Sequence, residues 1–112
     1  MAHPTWLEAA LNGSWTRARQ PRIPVTVAAI IEDGVACAGE GAAILHLHAY
    51  DEETGRQRDD WQLYARIIEG LRARTDAVIY PTVPGEATHD PDRFAHVREL
   101  AARGLLEWTV LD

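Results

Sequence analysis

The sequence predicts an α/β chain: the first half of a (β/α)8 barrel of the TIM type, in the order β-α-β-α-β-α-β. Short apolar runs of strand length alternate with longer segments of helical periodicity. The strands recur about every 30 to 37 residues, the repeat of a βα unit in a parallel sheet. The 112 residues hold four such strands and three helices, whereas a complete eight-unit barrel takes roughly 250 residues. A complete doubly wound domain also fits this length, but no Gly-rich phosphate fingerprint follows any strand.

The first strand is expected at about residues 6–11, closed by the turn pair Asn12-Gly13 and followed by a loop, Ser14 to Pro24, rich in Arg and Pro. Thr26 is a candidate N-cap for a helix over about 27–38, where Val27, Ile30, Ile31, Val35 and Ala38 share one face. Gly34 weakens that helix and Gly39-Glu40-Gly41 stops it. Residues 42–48 are a near-continuous apolar run, as a strand buried on both faces requires, and Asp51 to Gly55 leaves it as a turn. Asp59 or Asp60 caps a helix over about 60–74, with Trp61, Tyr64, Ile68 and Leu71 on its apolar stripe. A second buried strand is expected at 77–83, broken by Pro84-Gly85. Asp90-Pro91 then opens a helix over about 91–102, carrying Phe94, Val97, Leu100 and Ala101 and ended by Gly104. Residues 105–111 are expected to form the last strand. A half-barrel of this kind leaves strand edges and an inner face open, so association, as a homo-oligomer or through the barrel edges, is expected.

A hydrophobic share of 46% with 25% charged residues is that of one globular domain, residues 1–112. All 11 basic residues are Arg, and 17 acidic residues bring the net charge to −6, which disfavours non-specific binding to nucleic acid or to an anionic membrane. The apolar runs fall far short of the roughly 20 residues a membrane helix needs. Met1-Ala2-His3-Pro4 has no basic stretch leading into an apolar one, so no secretory signal is expected. Cys37, the sole cysteine, is expected inside a helix and offers neither an intrachain disulfide nor a thiol metal site. A reducing, cytoplasmic location is expected.

His46 and His48 are the candidate chemistry. Separated by one residue near the C-terminal end of a strand, they point to the same face, at the end where parallel α/β folds build their sites. Two imidazoles side by side each need a partner, and one divalent cation satisfies both. Zinc or another borderline metal suits imidazole. Spacing alone does not separate this reading from two core or rim histidines satisfied by backbone or carboxylates. Two ligands also leave a tetrahedral site incomplete; Asp51 is the nearest carboxylate and is better placed to begin a turn.

Pro24-Val25-Thr26, the run Gly41-Ala42-Ala43-Ile44-Leu45-His46-Leu47-His48-Ala49-Tyr50-Asp51 and Gly55-Arg56 together resemble the hallmark of the β-keto acid cleavage enzymes, typified by 3-keto-5-aminohexanoate cleavage enzyme. Ala9-Ala10-Leu11-Asn12-Gly13, Thr16-Arg17-Ala18-Arg19-Gln20-Pro21 and Ile79-Tyr80-Pro81-Thr82 extend the resemblance over nearly the whole chain. It implies a zinc-dependent barrel and an acyltransferase that condenses a β-keto acid with acetyl-CoA and splits the product into acetoacetate and a new acyl-CoA. It implies His46 and His48 as zinc ligands and Thr82 as a strand-end hydroxyl that contacts substrate. The metal would polarise the keto carbonyl and stabilise the enolate.

The chain departs from the family pattern in places. Tyr50 stands where the family usually carries an arginine, which alters the anion-binding side of the pocket. The family's acidic residue after the first strand has no counterpart around Ser14-Trp15, and the hydroxyl of the fourth strand aligns with Val110, beside Thr109. The family's zinc-binding glutamate, with the aspartate and arginine beside it, is expected beyond Asp112, and the catalytic residues with it.

A metal-dependent hydrolase of the amidohydrolase type is an alternative, since those barrels also begin a metal site with His-x-His, but on their first strand. A non-catalytic barrel fragment that pairs with another chain is a third reading. His89 and His96 read as loop and helix-surface histidines, Trp61 and Trp108 as packing residues, and Arg56, Arg58, Asp59 and Asp60 as a solvated helix entrance.

Overall fold

In the computed structural model, residues 4–85 and 90–110 are described. Three parallel strands form one sheet in the order β1-β2-β3: β1 Glu8–Ala10, β2 Ile44–Leu47 and β3 Val78–Pro81. The helices are α1 Thr16–Arg19, α2 Val27–Gly39, α3 Trp61–Arg72 and α4 Ala95–Ala102. The first two strand-to-strand passages contain α2 and α3 and therefore follow the β-α-β pattern. The register sets Ala10 opposite His46 on β1 and β2, and His46 opposite Tyr80 on β2 and β3. Each strand is a few residues shorter than the apolar run that contains it, but the ladder runs on past the strand ends. Leu11 N–H donates to His46 O at 2.9 Å and Thr82 N–H to Leu47 O at 3.0 Å.

The pleat of β2 sorts its residues between two faces. Leu45, Leu47 and Ala49 face the helices and join Val27 and Ile30 of α2, Tyr64, Ile67, Ile68 and Leu71 of α3, Leu100 of α4 and Ile79 of β3 in one core. Ile44, His46 and His48 take the opposite face. There Glu8 and Tyr80 are joined by a hydrogen bond from the tyrosine hydroxyl, and Trp108 stacks on Tyr80 with ring centroids 6.3 Å apart. No helix of the described residues is long and apolar enough to cross a membrane.

The helix starts follow their capping chemistry. The Thr26 hydroxyl accepts from Ala29 N–H at 3.1 Å, and Glu52 Oε1 accepts from Val27 N–H at 3.0 Å, which sets a carboxylate at the positive end of α2. Asp60, rather than Asp59, caps α3 by accepting from Gln62 N–H at 2.8 Å. The last helix begins at Ala95, four residues after the expected start, because Asp90 Oδ1 takes Asp92 N–H into a local turn at 2.9 Å. The expected loop from Ser14 to Pro24 contains the short helix α1.

The strand expected at 105–111 is not formed by its described residues, Leu105 to Val110, which are irregular. A strand needs a backbone ladder, and this segment meets β3 through the Trp108 side chain instead. Leu105 N–H turns back to Leu100 O, closing the end of α4. Leu111 lies outside the described residues. The described sheet thus has three strands.

Gly34 lies in the middle of the buried stripe of α2. A Cβ there would stand 2.6 Å from Leu71 Cδ2, with Leu45 Cδ1 at 3.3 Å and Leu11 Cδ1 at 3.4 Å behind it. Leu71 and Leu45 are both fully buried, so neither has room to retreat. Gly70 repeats the device from the other helix, where a Cβ would run into the Ile31 side chain. The glycine that weakens α2 as an isolated helix is what lets α2 and α3 close over β2. Gly34→Val is expected to destabilise the chain by about 2 kcal/mol through overpacking and a poorer helix former than alanine; urea unfolding should show a lower midpoint at unchanged slope.

Candidate functional site

The site grows from the C-terminal end of β2. His46 is the third residue of the strand and His48 follows its last residue. Their rings stand edge to face with centroids 5.2 Å apart, so the alternation of the strand brings both imidazoles to one place. Tyr80, the partner of His46 on β3, lies with its ring centroid 4.5 Å away. Burial lowers the pKa of both histidines; for His46 the neighbouring His48 adds to it and the Glu8 charge and the Tyr80 backbone partly offset it, and for His48 the Gln57 hydrogen bond and the Asp59 charge partly offset it. Both rings are therefore biased to the neutral form, the one that ligates a metal. The buried His46 Nδ1 has no hydrogen-bond partner among the described residues. His48 Nδ1 lies 2.9 Å from Gln57 Oε1.

Asn12 holds the second histidine by its backbone. The Asn12 side chain is buried, accepts from His48 N–H at 2.9 Å and donates to His48 O at 2.8 Å and to Pro24 O at 3.1 Å. One amide thus ties together the end of β1, the residue before Val25 and the end of β2. The sequence reads Asn12-Gly13 as a turn pair and misses this; the one available clue was a polar residue directly after an apolar strand. Gly13 does take a positive φ of 66°.

Thr82 continues β3 beside this point. With Ser14, His48, Gln57, Asp59 and Pro84 it lines a cavity of about 550 Å3. Its carbonyl oxygen is held by His96 Nε2 at 2.7 Å. His96 is on a helix as expected, but on the buried face of α4, not its surface, and stacks on Tyr64 at 5.2 Å. It is buried because α4 folds back over the end of β3, which periodicity within α4 alone does not reveal. His89 lies outside the described residues.

Tyr50 is buried, and its hydroxyl donates to Gly13 O, so it closes the loop after β1 against the loop after β2. Asp51 turns away to accept from Glu53 N–H and Thr54 N–H, both at 2.9 Å, which makes it a turn residue as expected. Arg58 pairs with Asp51 at 3.2 Å and Asp60 at 3.6 Å at the exposed helix entrance. Asp59 alone of that cluster faces inward: it accepts from Gln57 Nε2 and from the Tyr64 hydroxyl. Thr109 and Val110 are exposed and lie in the irregular segment. Trp61 packs against the core with Arg103 3.8 Å over its ring, whereas Trp108 is half exposed.

Two imidazoles with neutral bias, one carrying an unpartnered buried nitrogen, fit one shared divalent cation. No group of three or more His, Cys, Asp or Glu able to hold a metal occurs among the described residues. The pair sits on the second strand, with β1 and α2 before it, which does not favour an amidohydrolase arrangement.

The family model of the beta-keto acid cleavage enzymes matches residues 4–111. The chain is 39% identical over 70 residues to the 3,5-dioxohexanoate:acetyl-CoA acetone transferase of Paraburkholderia graminis, covering 62% of this chain and 23% of that protein. It is 35% identical over 81 residues to the 3-oxoadipate:acetyl-CoA acetyltransferase of Cupriavidus necator, covering 70% of this chain and 28% of that protein. The 3-dehydrocarnitine:acetyl-CoA trimethylamine transferase of Rhizobium meliloti is 28% identical over 86 residues, 76% of this chain and 29% of that protein. The matched stretch thus spans about a quarter of the length of these relatives.

Asn12→Ala leaves the His48 N–H and two carbonyls without their buried partner. A loss of about 2 to 3 kcal/mol is expected in chemical denaturation, together with loss of amide-exchange protection at His48.

Proposed function

Because the chain belongs to the beta-keto acid cleavage enzyme family, we propose that it is part of a zinc-dependent acyltransferase, one that converts a β-keto acid and acetyl-CoA into acetoacetate and a new acyl-CoA. The observation that carries the metal reading is the His46 and His48 pair, with a buried Nδ1 on His46 that no described group satisfies. His46 and His48 would hold the ion, and further ligands come from outside the described residues. A bound zinc or other divalent ion supplies Lewis acidity toward the keto carbonyl and the enolate that carbon-carbon cleavage generates.

The chain's own residues bind and orient. Thr82 is proposed to contact substrate with its hydroxyl, supported by its place beside His48 on the cavity wall. The buried Tyr50 and the Asn12 amide tie the end of β1 and the loop after it to the end of β2, which fixes the backbone from which the His48 imidazole projects. Asp59, which accepts from the Tyr64 hydroxyl behind it, lines the cavity beside His48. With Tyr50 at the position where an arginine is usual, substrate anion binding would differ from the family pattern. The names of the three relatives share acetyl-CoA as a reactant, which supports that co-substrate here. Along the outer edges of β1 and β3 no further strand is paired among the described residues, which supports association through these edges.

Zinc content of the purified chain tests this reading. His46→Ala and His48→Ala are each expected to lower zinc affinity at least about tenfold, with retained folding checked by circular dichroism. Unchanged zinc stoichiometry and affinity in both variants would overturn the metal assignment.

A further inference from the structure

His48 Nδ1, the Gln57 side-chain amide, the Asp59 carboxylate and the Tyr64 hydroxyl form one continuous hydrogen-bonded line. The distances are 2.9 Å from His48 Nδ1 to Gln57 Oε1, 3.2 Å from Gln57 Nε2 to each Asp59 oxygen, and 2.7 Å from the Tyr64 hydroxyl to Asp59 Oδ1. The direction of every bond follows from chemistry. Tyr64 is fully buried, and burial together with the Asp59 charge keeps its phenol protonated, so it donates. A carboxylate only accepts. Gln57 must therefore turn its NH2 toward Asp59, because its amide oxygen would meet the carboxylate oxygens without a proton between them. That leaves Oε1 facing His48, and an amide oxygen offers no proton, so Nδ1 must carry one.

We infer that Gln57 and Asp59 are positioning residues that lock His48 in its Nδ1–H tautomer and so keep the Nε2 lone pair for a divalent cation. The last clause rests on the metal reading above; the tautomer itself does not. The line is anchored at both ends. Gln57 pairs with Tyr50 in an antiparallel bridge, and Arg58 N–H donates to Ala49 O at 2.9 Å, which folds this hairpin back on the end of β2. Tyr64 belongs to the core of α3. A histidine ligand usually has its second nitrogen bonded to an oxygen acceptor, which orients the ring and raises its basicity. Here an amide relays a carboxylate to that nitrogen.

The test uses imidazole 15N correlation spectra of the metal-free chain at a pH where His48 is neutral, and calorimetric titration with zinc chloride. In the unsubstituted chain His48 should show Nδ1–H, against the Nε2–H form that a free neutral histidine prefers. Gln57→Leu, which removes the acceptor, should shift His48 toward Nε2–H and weaken zinc binding roughly 10- to 100-fold. The double variant Gln57→Glu with Asp59→Asn keeps an oxygen toward Nδ1 and a donor behind it, and should restore both readings to within about threefold. Tyr64→Phe should move the tautomer in the same direction as Gln57→Leu but less. An Nε2–H His48 in the unsubstituted chain overturns the inference without recourse to any variant. So does a folded Gln57→Leu chain with unchanged tautomer and zinc affinity. A tautomer that shifts as expected in a chain whose zinc binding ignores His48 upholds the locking and refutes the metal reading.

Discussion

The buried Asn12 side chain is the contact on which the site depends. In a parallel sheet the strands end side by side, and the backbone beyond the last ladder bond must find partners or face water. Asn12 supplies both a donor and an acceptor to His48 at that point and spends its second N–H on Pro24 O. The asparagine thus acts as one further rung between β1 and β2, made by a side chain. Because it grips the backbone of His48 and not its ring, it sets where the imidazole starts from and leaves both ring nitrogens available.

The ring nitrogens are then divided between two tasks. Nδ1 of His48 faces the Gln57 amide, which is itself held by Asp59. His46 has no such support: it lies between His48 and the Tyr80 ring, with its buried Nδ1 unpartnered. An unsatisfied buried nitrogen costs about 1 to 3 kcal/mol, which the proposed cation would offset. Tyr80, whose own hydroxyl is committed to Glu8 and whose pKa is pushed up to about 12 by burial and by that glutamate, offers His46 a ring face and no titrating group near neutrality.

Behind the sheet, two glycines decide how near the helices come. Gly34 and Gly70 let α2 and α3 pack against each other's Leu71 and Ile31 at distances a methyl group would not allow. On α3, Tyr64 is part of this core and its hydroxyl reaches back to Asp59, just before the helix start. The packing of the core and the polarity of the site are thus joined through a single helix. The reach of α4 has a similar effect at β3, where buried His96 holds the carbonyl of Thr82.

Much of this was legible in the one-dimensional pattern. The apolar runs around β2 and β3, the stripe of α3 with its Asp60 cap and the Thr26 cap of α2 are local features, set by side-chain period and by competition for the first backbone N–H groups. The His46 and His48 pair was legible for the same reason, since a period of two needs no tertiary information, and the resemblance of the surrounding residues pointed to the family. The strand expected at 105–111 does not form over its described residues, 105–110, because β-propensity describes only a willingness to pair, and pairing needs a neighbour in register. His96, expected on the helix surface, is buried because burial on a helix depends on what lies across from it. Asn12, Gln57 and Asp59 are ordinary turn or surface residue types, separated by 36 residues and by 9 and 11 from His48, and no local rule distinguishes them. The sequence by itself determined the parallel α/β pattern and two imidazoles on one face. Only the tertiary structure decided which nitrogen of His48 is occupied and what holds its backbone, because hydrogen-bond direction is a property of groups that meet in space.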